Sequence, residues 1–233
     1  MKEAGDSIDF PPPSAADEDG LLMLGGKLTP SWVLTAYRQG IFPWPLVDDH
    51  VEVLAWFSPD PRAILPLDSY HPARRLLRRI RRGEFTVTFN QDFDRVISGC
   101  AAPRADDHQT WITRSMSELY QRLHRMGHAH SVETWRDGVL VGGVFGVSLH
   151  GLFTGESMFH DCRDASKVAL HFLVERLRQR GFELLDIQQA STHMTSAGAV
   201  EISRSDYLRR LRRALRSTPQ FADALPRPND SNS

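Results

Sequence analysis

Cysteine is scarce. Two of 233 residues, Cys100 and Cys162, lie far apart and outside any CxxC pair. That spacing argues against a disulfide framework and a zinc knuckle, and leaves two ordinary thiols. Long apolar runs are missing too. The longest stretch of low charge, residues 138 to 162 or so, is interrupted by His150 and Asp161 and is rich in glycine, as strands and turns are and a membrane span is not. The opening "MKEAGDSIDF" lacks the basic start and apolar core of a signal peptide, so a cytoplasmic protein with no membrane partner is expected. His124, His128 and His130 crowd the segment "HRMGHAH", but no acidic third ligand stands at a useful spacing and there is no HExxH, so no metal site is expected. No repeat of fixed short period is present.

What remains is an ordinary composition, 41% hydrophobic, able to bury one substantial core or two small ones. The formal net charge of −1 hides a polarised chain. Residues 1 to 20 carry six acids against Lys2, a balance of −5, which leaves +4 for the remaining 213 residues.

The Pro-rich, acidic start, ending in "FPPPSAADEDG", is expected to run extended along the surface. "SWVLTAYRQG" reads as a short helix capped by Thr29 or Ser31 and stopped by Gly40. Proline density in "IFPWP" and "WFSPDPRAILP" argues against central strands. Residues 1–68 are therefore expected to form a small irregular N-terminal domain, with 1–7 disordered. Residues 69–216 alternate helix and strand: a helix in "HPARRLLRRIRRG", a strand in "FTVTFN", amphipathic helices in "DFDRVISGCA" and "SMSELYQRLHRMG", then strand-like alternation from 130 to 160. A helix from "ASKVAL", a strand ending in "LLDIQ" and a last helix "SDYLRRLRRALR" follow. This order predicts an α+β mixed sheet with a βαβ-like crossover near its end, and a disordered tail over 217–233.

Three features bear chemistry. Asp186 and Gln188 stand two apart in "LLDIQQ", so on a regular strand they share a face opposite Leu185 and Ile187. Glu156 is the only charge in "LFTGESMF", where it either neutralises an arginine or faces a cleft with Asp186 and Gln188. Six arginines lie within nine residues, Arg74, Arg75, Arg78, Arg79, Arg81 and Arg82, with no acid between Asp68 and Glu84. A polyanion is the preferred reading over a solvated helix face. A second basic helix holds Arg209, Arg210, Arg212, Arg213 and Arg216. Glycine is absent from "RDASKVA", where an acetyl-coenzyme A enzyme needs a close backbone turn for pyrophosphate, so no coenzyme A site is visible.

The longer words, "GLLMLGGKLTPSWVLTAYRQGIFPWP", "WFSPDPRAILP", "TWITRSMSELYQRLHRMGHAHSVETWRDGVLVGGVFGVSLHGLFTGESMF", "ASKVAL" and "LLDIQ…H…SAGAVEISR", resemble in order the leucyl/phenylalanyl-tRNA–protein transferase family, over about residues 8 to 211. The resemblance implies an enzyme that moves Leu, Phe or Met from tRNA to the N-terminal Arg or Lys of a protein, creating a degradation signal. It implies a C-terminal N-acetyltransferase-like (GNAT-like) domain, a monomer, and neither metal nor coenzyme A as cofactor. By position it assigns Asp186, Gln188 and Glu156 to the catalytic centre, Trp56 and Trp111 to the 3′ adenosine, Val144, Phe153, Gly155 and Met158 to the aminoacyl pocket, and Arg74, Arg75, Arg78, Arg79 and Arg82 to the tRNA. The chain departs from the family pattern at Val144, where Met often stands, at Ile187, where Cys may stand, and in "QASTHMTSAGA", which has Ala where "SLGA" is usual.

For that reaction, Gln188 is expected to receive the attacking amine while Asp186 polarises Gln188 and offsets the developing positive charge. Alternatively, Asp186 mainly binds the basic acceptor residue. A coenzyme A-dependent N-acetyltransferase and a non-catalytic RNA-binding module are the rival classes.

Overall fold

The computed structural model describes residues 8–48, 51–103 and 110–222. The expectations for 1–7 and 223–233 lie outside the described residues. The N-terminal part holds strand β1 (Leu21–Leu24), helix α1 (Pro30–Arg38), and strands β2 (Phe42–Asp48) and β3 (Val51–Phe57). Thr29 caps α1 by accepting from the Trp32 backbone N–H, and Gly40, at φ +79°, releases the chain beyond it. The three strands form an antiparallel sheet in the order β1-β3-β2. The irregular domain expected here is thus a small ordered sheet. Pro43 and Pro45 are accommodated because β2 is an edge strand, where a missing N–H leaves no ladder position unmet on the outer side.

Strand β4 (Arg62–Ile64) lies before the boundary expected at residue 68, yet it enters the large sheet. That sheet is completed by β5 (Thr86–Phe89), β6 (Ala129–Arg136), β7 (Val139–Leu149), β8 (Leu152–His160), β9 (Leu184–Gln188) and β10 (Val200–Ile202). Its order is β10-β4-β9-β8-β7-β6-β5, and β8–β9 is the parallel pair among antiparallel neighbours. A parallel pair needs a crossover, and helix α5 (Ala165–Arg180) supplies it. The remaining helices are α2 (Arg74–Arg81), α3 (Phe93–Ala101), α4 (Arg114–Arg125), α6 (Thr192–Ser196) and α7 (Arg204–Ala214). This is the expected α+β architecture with a mixed sheet.

Two cores flank the large sheet. On one side Val96, Leu119, Phe145, Val147 and Tyr207 pack with Val33, Tyr37 and Trp56 of the N-terminal part. On the other, Val144, Phe153 and Leu185 pack against Ala169, Leu173 and Leu177 of α5. Adjacent glycines let both helices approach β7: a Cβ on Gly142 would stand 2.6 Å from the Ala165 Cβ on α5, and one on Gly143 would stand 3.0 Å from Val96 on α3. Residues 217–222, expected to be disordered, are held by Phe221. Its ring is 2% exposed and packs on His130 and Phe153, and its carbonyl accepts from Arg176 Nε.

Candidate active site

Strands β8 and β9 pair only from Leu152↔Leu184 to Thr154↔Asp186, then part. A bulge in the β7–β8 ladder, between Phe145↔Ser157 and Gly146↔Gly155, bends β8 away at that point. The gap opens into a cavity of about 1080 Å³. Gly155, Glu156 and Met158 line it from β8, and Leu185, Ile187 and Gln188 line it from β9. Val144, Leu170, Leu173 and Met194 form an apolar wall toward α5. On the opposite side Trp44 and Trp111 stack with centroids 4.8 Å apart and planes 17° apart.

Glu156 sits where the two faces meet. Its Oε1 accepts from Tyr37 Oη at 2.9 Å and Thr154 Oγ1 at 2.6 Å, and its Oε2 accepts from Tyr120 Oη at 2.9 Å. Its pKa is pushed up to about 7, because burial, with a smaller push from the nearby Asp186 charge, outweighs the pull of the three hydroxyl donors. The carboxylate is therefore poised between its two protonation states near neutrality. Of the two expectations for Glu156, the cleft is met in part: Glu156 shares it with Gln188 but not with Asp186, and its hydrogen-bond partners among the described residues are hydroxyls.

Asp186 does not share the cavity with Gln188. It is fully buried on the far side of β9, where its Oδ1 accepts from Arg62 Nε at 2.9 Å and its Oδ2 from Arg62 Nη2 at 2.6 Å. Tyr207 Oη donates to Oδ2 at 2.7 Å. The Arg62 guanidinium lies between the rings of Phe42 and Tyr207, at 4.6 and 4.5 Å. Burial works against the Arg62 charge, but Asp186 outweighs it and raises the Arg62 pKa. The negative field expected from Asp186 is thus neutralised by a buried bidentate partner. What Asp186 does hold is the Gln188 backbone, whose N–H donates to Oδ1 at 2.9 Å. Gln188 has φ +58°, a left-handed conformation that favours glycine, and this departure from strand alternation carries it into the cavity beside Ile187.

Two other expected pocket residues lie elsewhere. Trp56 is fully buried against Phe10 and Trp32, with Nε1 donating to the Gly25 carbonyl at 2.8 Å. Phe153 packs on Phe182 and Phe221, away from the cavity. Trp44, in the Pro-rich segment "IFPWP", supplies the second aromatic. Its signal was the strand-like alternation of Trp44 with Pro43 and Pro45, hidden by the prolines.

The arginines of α2 divide. Arg75, Arg78, Arg79 and Arg82 line a second concavity of about 380 Å³ with Glu84. Arg79 donates to Glu84 at 2.7 Å, Asp164 at 2.8 Å and the Arg163 carbonyl at 2.8 Å. One acid distant in sequence, Asp164, therefore reaches this helix, which the local charge run could not reveal. Arg74, Arg75, Arg78 and Arg82 are exposed. The histidines of "HRMGHAH" have other partners: His124 Nδ1 meets the Ala129 carbonyl at 2.8 Å, and His130 meets Asn90 and Ser148.

A family model described as leucyl/phenylalanyl-tRNA protein transferase matches residues 64–212, and the model of that family's N-terminal domain matches 26–60. The chain belongs to this family. A leucyl/phenylalanyl-tRNA–protein transferase of Syntrophotalea carbinolica is 47% identical over 210 residues, 90% of either chain. One of Solidesulfovibrio magneticus is 51% identical over 88% of this chain and 82% of its own. One of Pseudoalteromonas atlantica is 45% identical over 95% and 94%. Membership makes the protein an aminoacyltransferase. Among solved structures, a ribosomal-protein-alanine N-acetyltransferase from Brucella melitensis biovar Abortus 2308 is 13% identical with a TM-score of 0.35, covering 46% of this chain and 82% of its own. That likeness is too slight to argue from. Among the described residues no helix is long and apolar enough to cross a membrane.

Proposed function

We propose that the cavity takes the aminoacylated 3′ end of tRNA, and that the protein transfers Leu, Phe or Met to the N-terminal Arg or Lys of an acceptor protein, marking it for proteolysis. One observation carries this reading: the gap between β8 and β9 joins an aromatic stack, an apolar wall and two polar groups in one continuous space. The terminal adenine stacks on Trp44 and Trp111. The amino-acid side chain enters the wall of Val144, Met158, Leu170 and Leu173. Apolar discrimination by one methylene is worth only ~1–3 kcal/mol, which fits a donor set of several apolar residues.

The ester is already activated, so catalysis consists of positioning and proton transfer. The acceptor α-amine has a pKa of about 7.7–8 and reaches the site largely protonated. Glu156, its pKa about 7, takes that proton, and Oε2, with Tyr120 as its one protein donor among the described residues, has room for the incoming N–H. Gln188 orients the amine. The nitrogen then bonds to the ester carbonyl carbon, the carbon–oxygen bond to the ribose breaks, and Glu156 returns its proton to the leaving ribose oxygen; the second proton lost by the nitrogen passes to Glu156 and on to solvent. Asp186 and Arg62 serve as positioning residues behind Gln188. The donor confines the reaction to the compartment of translation. Incubation of labelled Leu-tRNA with an Arg-initiated peptide is expected to give labelled peptide only when the protein is present; no product would refute the reading.

A further inference from the structure

A basic acceptor residue brings two charges to the cavity, its α-amine and the cation at the end of its side chain. Glu156 meets the amine. Asp186, the expected alternative for the side chain, is fully buried and bound to Arg62. Among the described residues that line the cavity Glu156 is the only acid, so a partner for the second cation has to stand at the rim.

Glu52 of β3 stands there. It pairs across the ladder with Val47 of β2, and Val47 lines the cavity. Its Oε1 accepts from Thr113 Oγ1 at 3.1 Å and from Ser115 Oγ at 2.5 Å, and Thr113 lines the cavity as well. Both donors are neutral. Among the described residues Oε2 has no donor and no cation stands within ion-pair distance, so this exposed carboxylate carries an unbalanced charge. Leu46 and Val47, on the same edge of the cavity, are 40% and 48% exposed. An apolar edge that leads to an acid complements a long aliphatic stem with a cation at its tip. Helix α4 also fixes the spacing of the two acids, since it holds Glu52 through Thr113 and Ser115 and Glu156 through Tyr120. Ser115 and Tyr120 are about 7.5 Å apart along the helix axis, and helical side chains lean toward the N-terminus, which brings the Tyr120 hydroxyl toward Glu52. An extended Arg or Lys covers a span of that order between its α-amine and its terminal cation.

Resting on the transferase reading, we propose that Glu52 binds the cationic side chain of the acceptor's N-terminal Arg or Lys while Glu156 meets the α-amine of the same residue, so that Glu52 selects basic acceptors. The selectivity of the rim is then a matter of one exposed charge, and it weakens with salt.

The test uses the full chain, Leu-tRNA and two peptides that differ only in their first residue, Arg or citrulline, its neutral isostere. With the Arg peptide, Glu52→Gln is expected to raise KM about fivefold at nearly constant kcat, as the loss of a partly exposed ion pair would. Glu52→Lys, which puts a like charge at the rim, is expected to raise it further. The KI of the citrulline peptide against the Arg peptide is expected to stay at the parent value in Glu52→Gln, and so is the KM for Leu-tRNA. The Gln amide oxygen still accepts from Thr113 and Ser115, so a residue that only latched β3 to α4 would keep its role in this variant, and thermal melts are expected to agree with the parent. Equal penalties on the two peptides, a rise in the KM for Leu-tRNA that matches the rise for the Arg peptide, or no penalty on the Arg peptide would overturn the assignment. A parent protein that transfers from Leu-tRNA to neither peptide would overturn the transferase reading itself and this assignment with it.

Discussion

Glu156 and Asp186 are both acids in the centre of the sheet, and their partners give them opposite tasks. Among the described residues Glu156 receives hydrogen bonds only from neutral hydroxyls, so burial dominates and the neutral form is favoured up to about pH 7. Its folded pKa lies above that of the unfolded chain, so its contribution to stability is fullest below the unfolded value of about 4.3 and is lost as pH rises toward 7. Glu156→Gln is expected to flatten the pH dependence of Tm across that window and to remove the ionisation near pH 7 from the profile of kcat/KM; a profile unchanged by the substitution would assign the proton to another group. Asp186 instead neutralises Arg62. Asp186→Asn leaves a buried guanidinium without its counter-charge and is expected to cost about 3–5 kcal/mol of stability. Gln188→Ala is expected to lower single-turnover transfer with Tm close to the parent. If Asp186→Asn instead melts like the parent while transfer is lost, the carboxylate acts directly on the reactants and its role as support for Gln188 is wrong.

At the scale of elements, α2 is both a binding face and a packed helix. Its apolar side and Arg79 dock it onto the start of α5, through Asp164, while Arg78 and Arg82 face the groove. Arg78→Ala is expected to raise KM for aminoacyl-tRNA and to reduce the salt slope by ~1, with Tm unchanged. Arg79→Ala is expected to lower Tm as well, because it removes three hydrogen bonds rather than one solvated charge. Melting the two variants at one salt concentration checks the distinction. Strands β8 and β9 show the same economy of parts. Their parallel pairing holds the sheet together at one end, and its termination at Thr154↔Asp186 makes the cavity at the other. Gly155 stands at that fork, and a Cβ there would lie 3.8 Å from the Asp186 carbonyl oxygen, an ordinary contact. Gly155→Ala is therefore expected to fold normally and, by narrowing the cavity, to penalise phenylalanyl more than leucyl transfer, measured as the ratio of kcat/KM for the two donors.

In the whole molecule the two sheets share a core. Phe10, Val33, Tyr37 and Trp56 from the N-terminal part are continuous with Phe93, Tyr120, Phe145 and Tyr207. The active site depends on that continuity, since Tyr37 holds Glu156 from one part and Trp44 stacks on Trp111 of the other. Calorimetry is expected to show a single unfolding transition; two separable ones would mean that the N-terminal sheet is an independent module. Residues 217–222, beyond α7, also belong to the packed structure. Phe221→Ala is expected to destabilise by about 3–5 kcal/mol, because its ring fills space between Phe153, Phe182 and His130.

Local sequence determined most of the elements, because their causes are local. Thr29 and Asp92 cap helices, Gly40, Gly127 and Gly181 end them, and alternation from 130 to 160 makes the strands. Long, unusual words also determined the family. Tertiary structure decided the site. The spacing of Asp186 and Gln188 placed them on one face only as long as β9 stayed regular, and a left-handed Gln188, held by Asp186, separated them. The partner that silences Asp186 lies 124 residues away on β4, the acid that docks Arg79 lies 85 residues away at the start of α5, and the tryptophan that pairs with Trp111 comes from an edge strand dense in proline. A charge is valued by what stands within a few ångströms of it, and only the folded chain brings those groups together.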